Sequence, residues 1–271
     1  SLRFSDFILI QKGYLYKSFD CTLFQTVRSD ELTEIAIGYL VKSCYSRDNF
    51  ERKECHMEEK STLQEALDFL RSREKCNLLM VMTNIVVFVI LEWMGSTTDT
   101  MFMLHHGAMY EPLVVERGEY YRLFTCMFLH FGVQHLLYNM LLLIFVGDML
   151  EKAVGKIRYL IVYLGGGILG NLLSMGVAMK TGSYAVSVGA SGAIFAVVGA
   201  LVFLAVKNRN RISQEETRRL MIMAALSLIE GFTQTGTDSM AHLGGFLGGM
   251  ALCLLLTAIC GKQKTDADPM S

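Results

Sequence analysis

Runs of mostly apolar residues, each near the roughly 20 that a helix needs to cross a hydrocarbon core of about 30 Å, recur along this chain with polar or charged breaks between them. Nothing else in the sequence narrows the fold so far. The runs extend from Asn77 to Trp93, Phe124 to Leu150, Tyr159 to Ala178, Gly189 to Val206, Leu220 to Phe232 and Ala241 to Ile259. They predict an all-α, polytopic membrane bundle of six transmembrane helices over residues 76–260. A small N-terminal cytosolic region, 1–75, of α+β or partly ordered character precedes the bundle, and a cytosolic tail, 261–271, follows it. With 52 % hydrophobic residues, two prolines and a mean hydropathy of +0.37, the composition agrees with membrane spans.

Short-loop Lys and Arg orient such a bundle. Arg71, Arg73 and Lys75, then Lys152, Lys156 and Arg158, then Lys207, Arg209, Arg211, Arg218 and Arg219, then Lys262 and Lys264 all fall on one side. Only Arg117, Arg122 and Lys180 fall on the other. Both termini are therefore expected in the cytoplasm of a multi-pass protein of the plasma or cell membrane. The segments Gly95 to Glu119, Thr181 to Val188 and Gly231 to Met240 then face outward. The first of these is too long for a tight turn and too apolar, at Met101-Phe102-Met103-Leu104, for a free linker.

The region before the first span carries short β-like runs, Phe7 to Ile10 and Cys21 to Phe24, then an amphipathic segment from Asp30 to Tyr45. Ser61-Thr62-Leu63-Gln64 has capping-box spacing and opens a helix with Leu63, Ala66, Leu67 and Leu70 on one face. No motif there assigns a function. Ser1 in place of Met, with no charged-then-apolar signal sequence, suggests a trimmed N-terminus. A net charge of −1 and the lack of a basic, aromatic-interleaved cluster exclude a nucleic-acid binder. The seven cysteines are scattered and form no C-x-x-C, which fits neither a disulfide framework nor a zinc site. Cys253 and Cys260 read as small packing hydrophobes.

Polar and ionisable residues inside spans are costly, so each is a functional candidate. His135 and Asn139 are i and i+4 on the second span and share a helix face. Ser191 opens the fourth span and His242 the sixth, at similar depth. A serine hydroxyl becomes a useful nucleophile when a base takes its proton, and histidine is the usual base. The Ser191 backbone N–H at a helix N-terminus, with the side chains of His135 and Asn139, suits a developing oxyanion. The plainer readings are a packing serine, and for His135 with Asn139 an interhelical clamp or half of a metal site. No third His, Cys, Asp or Glu joins that face, so neither a metal nor another cofactor is expected. Gly245 and Gly249, with Gly244 and Gly248 beside them, form small-residue ridges, and Gly192, Ala196, Gly199 and Ala200 form a matching strip. Close packing along that strip would bring Ser191 to His242 and put Phe195 under the imidazole.

Several separate places resemble the rhomboid proteases. They are Tyr121-Arg122; Phe128-Leu129-His130 with His135-Leu136 and Asn139-Met140; Gly189-Ala190-Ser191-Gly192; and Asp238 with Ala241-His242-Leu243-Gly244-Gly245. Their order and depths match, and the resemblance covers Asn77 to Cys260. It implies an intramembrane serine endopeptidase with a dyad of Ser191 as nucleophile and His242 as base and acid. His135, Asn139 and the Ser191 N–H would form the oxyanion hole, with Asp238, Glu151 and Arg122 as structural residues. The outward segment from Gly95 is similar to a half-embedded loop, and the short fifth span to a mobile element that admits substrate. Phe195 stands where some members have tyrosine. Substrates would be single-pass or multi-pass membrane proteins cut in or beside their transmembrane segments, in contact with the lipid bilayer and without nucleic acid. A catalytically silent binder of transmembrane clients is the alternative, against which Ser191 and His242 are both present. A transporter would need intramembrane charges and paired broken helices, whereas charges are few here and the halves show no repeat.

Overall fold

The structure, a computed structural model, describes residues 72–207 and 237–265. The N-terminal region with the helix expected from Ser61, the charged loop after Lys207, the expected fifth span and the tail from Asp266 lie outside the described residues. Among the described residues four helices are long and apolar enough to cross a membrane: α1 Lys75–Met94, α5 Gly132–Val154, α6 Lys156–Thr181, and Ser239–Ile259 within α8, Ser239–Thr265. A shorter apolar helix, α7 Ser191–Lys207, runs among them. The chain is an integral, multi-pass membrane protein.

Along α1 the buried residues are Asn77, Val81, Asn84, Phe88 and Leu91, alternately four and three apart, which is one helical stripe. Leu79, Met82, Val86, Val89 and Ile90 point the other way and are exposed, as suits a helix with lipid on one side. The start of α1 is capped from another helix. Glu151 of α5 accepts the N–H groups of Cys76 (3.2 Å) and Asn77 (2.7 Å), and Asp148 accepts that of Glu74 (3.1 Å). These are first-turn donors that no intrahelical carbonyl can reach. Asn77 returns the link through Nδ2 to Asp148, and the Tyr159 hydroxyl of α6 donates to its Oδ1 at 2.8 Å.

After α1 the chain folds into two short helices, α2 Thr100–His105 and α3 Glu111–Glu116. Asp99 caps α2 by accepting from the N–H groups of Met101 and Phe102. Arg122 is buried, and its guanidinium donates to the carbonyls of Leu104 and Ala108, both at 2.7 Å, while also pairing with Glu119. That cation holds the Glu119 carboxyl below its usual range. Met103, Ala108 and Leu129 close against Leu91 in a small core of their own.

The second span starts later than its apolarity suggests. Residues from Phe124 form the end of a single turn, α4 Arg122–Thr125, then a 3-10 turn, Cys126–Phe128, and an extended step at Leu129. The span proper begins at Gly132, whose φ of +74° suits glycine. Cys126, Met127 and Leu129 are apolar because protein covers them, and a run of hydrophobic letters does not tell a protein core from lipid.

The helix α7 is the centre of the bundle and is buried over nearly its whole length. It meets α8 backbone to backbone. A Cβ on Gly245 would overlap the Gly192 carbonyl, one on Gly249 the Ala196 carbonyl, and one on Gly199 the Phe246 carbonyl. On the adjacent face of α8, Gly244 and Gly248 seat on Leu173 and Leu169 of α6, while Gly170 of α6 abuts the Ala241 carbonyl. The two glycine ridges therefore serve two different neighbours. Small residues allow this approach, and in lipid such packing holds helices together without a hydrophobic driving force between them.

Candidate active site

The approach to Ser191 is strapped to the protein residue by residue. Ser187 and Met109 exchange two backbone hydrogen bonds, each 2.9 Å, in an isolated antiparallel bridge. The Gly189 N–H donates to the Cys126 carbonyl at 2.9 Å. Gly189 has φ +133°, and a Cβ there would press on the His135 ring at 2.9 Å, so both conformation and space demand glycine. The Ala190 N–H donates to His130 Nε2 at 3.4 Å. Ser191 then opens α7. The first hydrogen bond into the helix runs from the Ile194 N–H to the Ala190 carbonyl, which leaves the amides of Ser191, Gly192 and Ala193 as first-turn donors at the positive helix end.

The opposing helix, α8, is capped by Asp238, whose carboxylate accepts the Ala241 N–H at 2.9 Å and the hydroxyls of Ser174 (2.7 Å) and Ser187 (3.1 Å). That one group joins α6, the strap and α8. His242 lies in the first turn of α8, and its Nε2 is 2.8 Å from Ser191 Oγ, across 51 residues of chain. The Phe195 ring stacks on the imidazole with centroids 4.4 Å apart and planes 21° apart. His242 is 6 % exposed, and among the described residues nothing hydrogen-bonds its Nδ1. Asp238 is spent on the helix cap and does not orient the imidazole as the acid of a triad does.

The structure brings His135 beside Gly189 and hence beside Ser191, whose Oγ lies 3.6 Å from the same Cβ position. Asn139 is buried, and its Nδ2 donates to the His135 carbonyl at 2.9 Å, which leaves a second amide hydrogen for another acceptor. Among the described residues no three His, Cys, Asp or Glu side chains are grouped to hold a metal ion.

Two residues stand out here to which the sequence assigned no role. His130 is fully buried, and its ring packs edge-on against His135 at 5.2 Å and 71°. Five positions before His135 it shares no helical face with it, and only the bend between Leu129 and Gly132 brings the rings together. Glu111, at the start of α3, is 4 % exposed, with Oε2 unpartnered among the described residues. Burial raises its carboxyl above the usual range, and backbone N–H groups at Glu111 and Ala185 partly oppose this.

The sequence matches the rhomboid domain over residues 117–259. It is similar to the rhomboid protease GluP of Bacillus subtilis (strain 168), 33 % identical over 214 residues, covering 78 % of this chain and 41 % of that protein. It is also similar to the putative rhomboid protease YdcA of the same organism, 36 % identical over 152 residues, covering 56 % of this chain and 73 % of YdcA. RHOMBOID-like protein 1 of Arabidopsis thaliana is 40 % identical over 150 residues, covering 54 % of this chain and 37 % of that protein. The aligned stretch thus spans less than half the length of two of these relatives.

Proposed function

The chain belongs to the rhomboid family, and from that premise we propose that it is an intramembrane serine endopeptidase working through Ser191 and His242. One observation carries the assignment: Oγ and Nε2 lie 2.8 Å apart on two helices whose backbones touch. The Ser191 hydroxyl donates to Nε2, so the neutral imidazole holds its proton on Nδ1. As Oγ attacks the scissile carbonyl carbon, Nε2 takes the hydroxyl proton and the carbonyl oxygen becomes an oxyanion. The Ser191 N–H, His135 and the second Asn139 amide hydrogen are the donors assigned to that oxyanion. Collapse of the intermediate breaks the peptide C–N bond, and the imidazolium gives its proton to the departing amine. Water then attacks the acyl-Ser191 ester, again with His242 as base, and restores the hydroxyl.

The proposed substrates are single-pass or multi-pass membrane proteins, cut in or next to their transmembrane segments. The proposed organisation keeps six spans over residues 76–260, an N-terminal cytosolic region 1–75 and a tail 261–271, with both termini cytoplasmic in the plasma or cell membrane. Labelling with a serine-directed fluorophosphonate tests the central assignment. The full chain in detergent should be labelled and should cut a transmembrane peptide, and Ser191→Ala should lose both. Equal cleavage by Ser191→Ala would refute the nucleophile. A labelled protein that cuts no membrane substrate would favour a client-binding role.

A further inference from the structure

We propose that His130 is a positioning residue: a neutral imidazole whose Nε2 lone pair holds the Ala190 N–H and thereby aims the next amide, that of Ser191. The inference rests on Ser191 being the nucleophile. Besides the helical bond that Ala190 accepts from Ile194, five hydrogen bonds tie residues 187–190 to their surroundings, and three of them are backbone to backbone: both arms of the Met109 bridge and the bond from Gly189 to Cys126. The other two use side chains, Ser187 to Asp238 and, at 3.4 Å and nearest the nucleophile, Ala190 to His130.

A backbone amide can only donate, so the nitrogen facing it carries no proton. His130 is therefore not an imidazolium. Its single N–H sits on Nδ1, which turns toward the Phe128 carbonyl outside full hydrogen-bond geometry. With relative exposure of 0 %, neither nitrogen reaches bulk solvent.

The peptide plane that contains the Ala190 N–H precedes the one that contains the Ser191 N–H. Fixing the first leaves only the two Ala190 dihedrals to set the second. Those dihedrals are in turn limited by the Ala190 carbonyl, which accepts from Ile194. The same ring supports His135 edge-on. His130 thus steadies two of the groups assigned to the oxyanion while touching neither the substrate nor the reacting oxygen.

The test uses the full chain in detergent with a transmembrane peptide substrate and compares His130→Leu, which fills the space, with His130→Gln, whose Oε1 reaches the position of Nε2. Removing an oxyanion donor outright costs about 10²- to 10³-fold in kcat, and a donor left in place but loosely aimed should cost less, on the order of 10- to 10²-fold. His130→Leu should show that loss in kcat with KM little changed, and His130→Gln should recover most of it at equal melting temperature. In wild-type protein labelled with ¹⁵N-histidine, the His130 signal should show a pyridine-type Nε2 and a protonated Nδ1. Unchanged kcat in folded His130→Leu would overturn the proposal, and so would a Gln variant as impaired as Leu. If His130→Leu does not fold, a protonated Nε2 in the wild-type spectrum overturns it and a pyridine-type Nε2 supports it. Ser191→Ala, run alongside, separates the two readings. An inactive Ser191→Ala beside a fully active His130→Leu removes only the role of His130, whereas an active Ser191→Ala removes the nucleophile itself.

Discussion

Replacing Gly249 by alanine adds one methyl group far from any reacting atom, and its effect follows from where that methyl lands. On Gly249 a Cβ would overlap the carbonyl oxygen, carbonyl carbon and Cα of Ala196. These are backbone atoms of a buried helix, so no rotamer change relieves the overlap, and α7 and α8 must part or slide. Overpacking of this kind typically costs about 1–3 kcal/mol, offset by roughly 0.8–1 kcal/mol from the better helix propensity of alanine. The net loss of stability is therefore modest, about 0–2 kcal/mol. The effect on catalysis is larger. The proposed catalytic pair, Ser191 and His242, sits on these two helices at 2.8 Å, and a misplacement of about 1 Å in a reacting pair can cost roughly a hundredfold. Gly176→Ala is the matched control, because nothing lies within 4 Å of a Cβ there. Turnover of a transmembrane peptide, the fluorophosphonate labelling rate of Ser191 and the melting temperature would be measured for both. Gly249→Ala should lose activity on the order of a hundredfold with a small drop in Tm, while Gly176→Ala keeps its activity and its Tm holds or rises. A fully active Gly249→Ala would show that helix contact does not set the geometry of the pair.

Two further outcomes follow from single contacts. Asn139→Ala should lower kcat by about 10² to 10³ while leaving KM nearly unchanged if its second amide hydrogen meets the oxyanion, and an unchanged kcat would confine Asn139 to its bond with the His135 carbonyl. Glu111 has a folded-state carboxyl raised by burial from the ordinary value of 4.5, so the native state holds its proton more tightly than the unfolded chain and stability falls as pH rises above that value. Glu111→Gln should therefore raise Tm near pH 7 and flatten the decline from pH 4.5 upward, and a lower Tm at pH 7 with an unaltered pH profile would contradict this.

The sequence by itself determined that the chain lives in a bilayer and where most of its long helices lie. Crossing a hydrocarbon layer is a one-dimensional requirement on consecutive residues, which is why Asn77 to Trp93, Tyr159 to Ala178 and Ala241 to Ile259 fall within α1, α6 and α8. It also singled out the pair proposed to be catalytic, Ser191 and His242, because polar groups are scarce in such runs. The glycine spacing on α8 foretold close contact with α7, since an i, i+4 ridge is local geometry. Tertiary structure decided the rest. The residues from Phe124 to Leu129 are as apolar as any span yet fold back into the protein and delay α5 to Gly132. The second ridge, Gly244 and Gly248, chose α6 rather than α7. Asp238 became a helix cap shared by three segments, and His130 met the Ala190 amide. Each of these depends on a direction in space between segments distant in the chain. Hydrophobic length and local period report only which residues avoid water, not which surface they meet when they do.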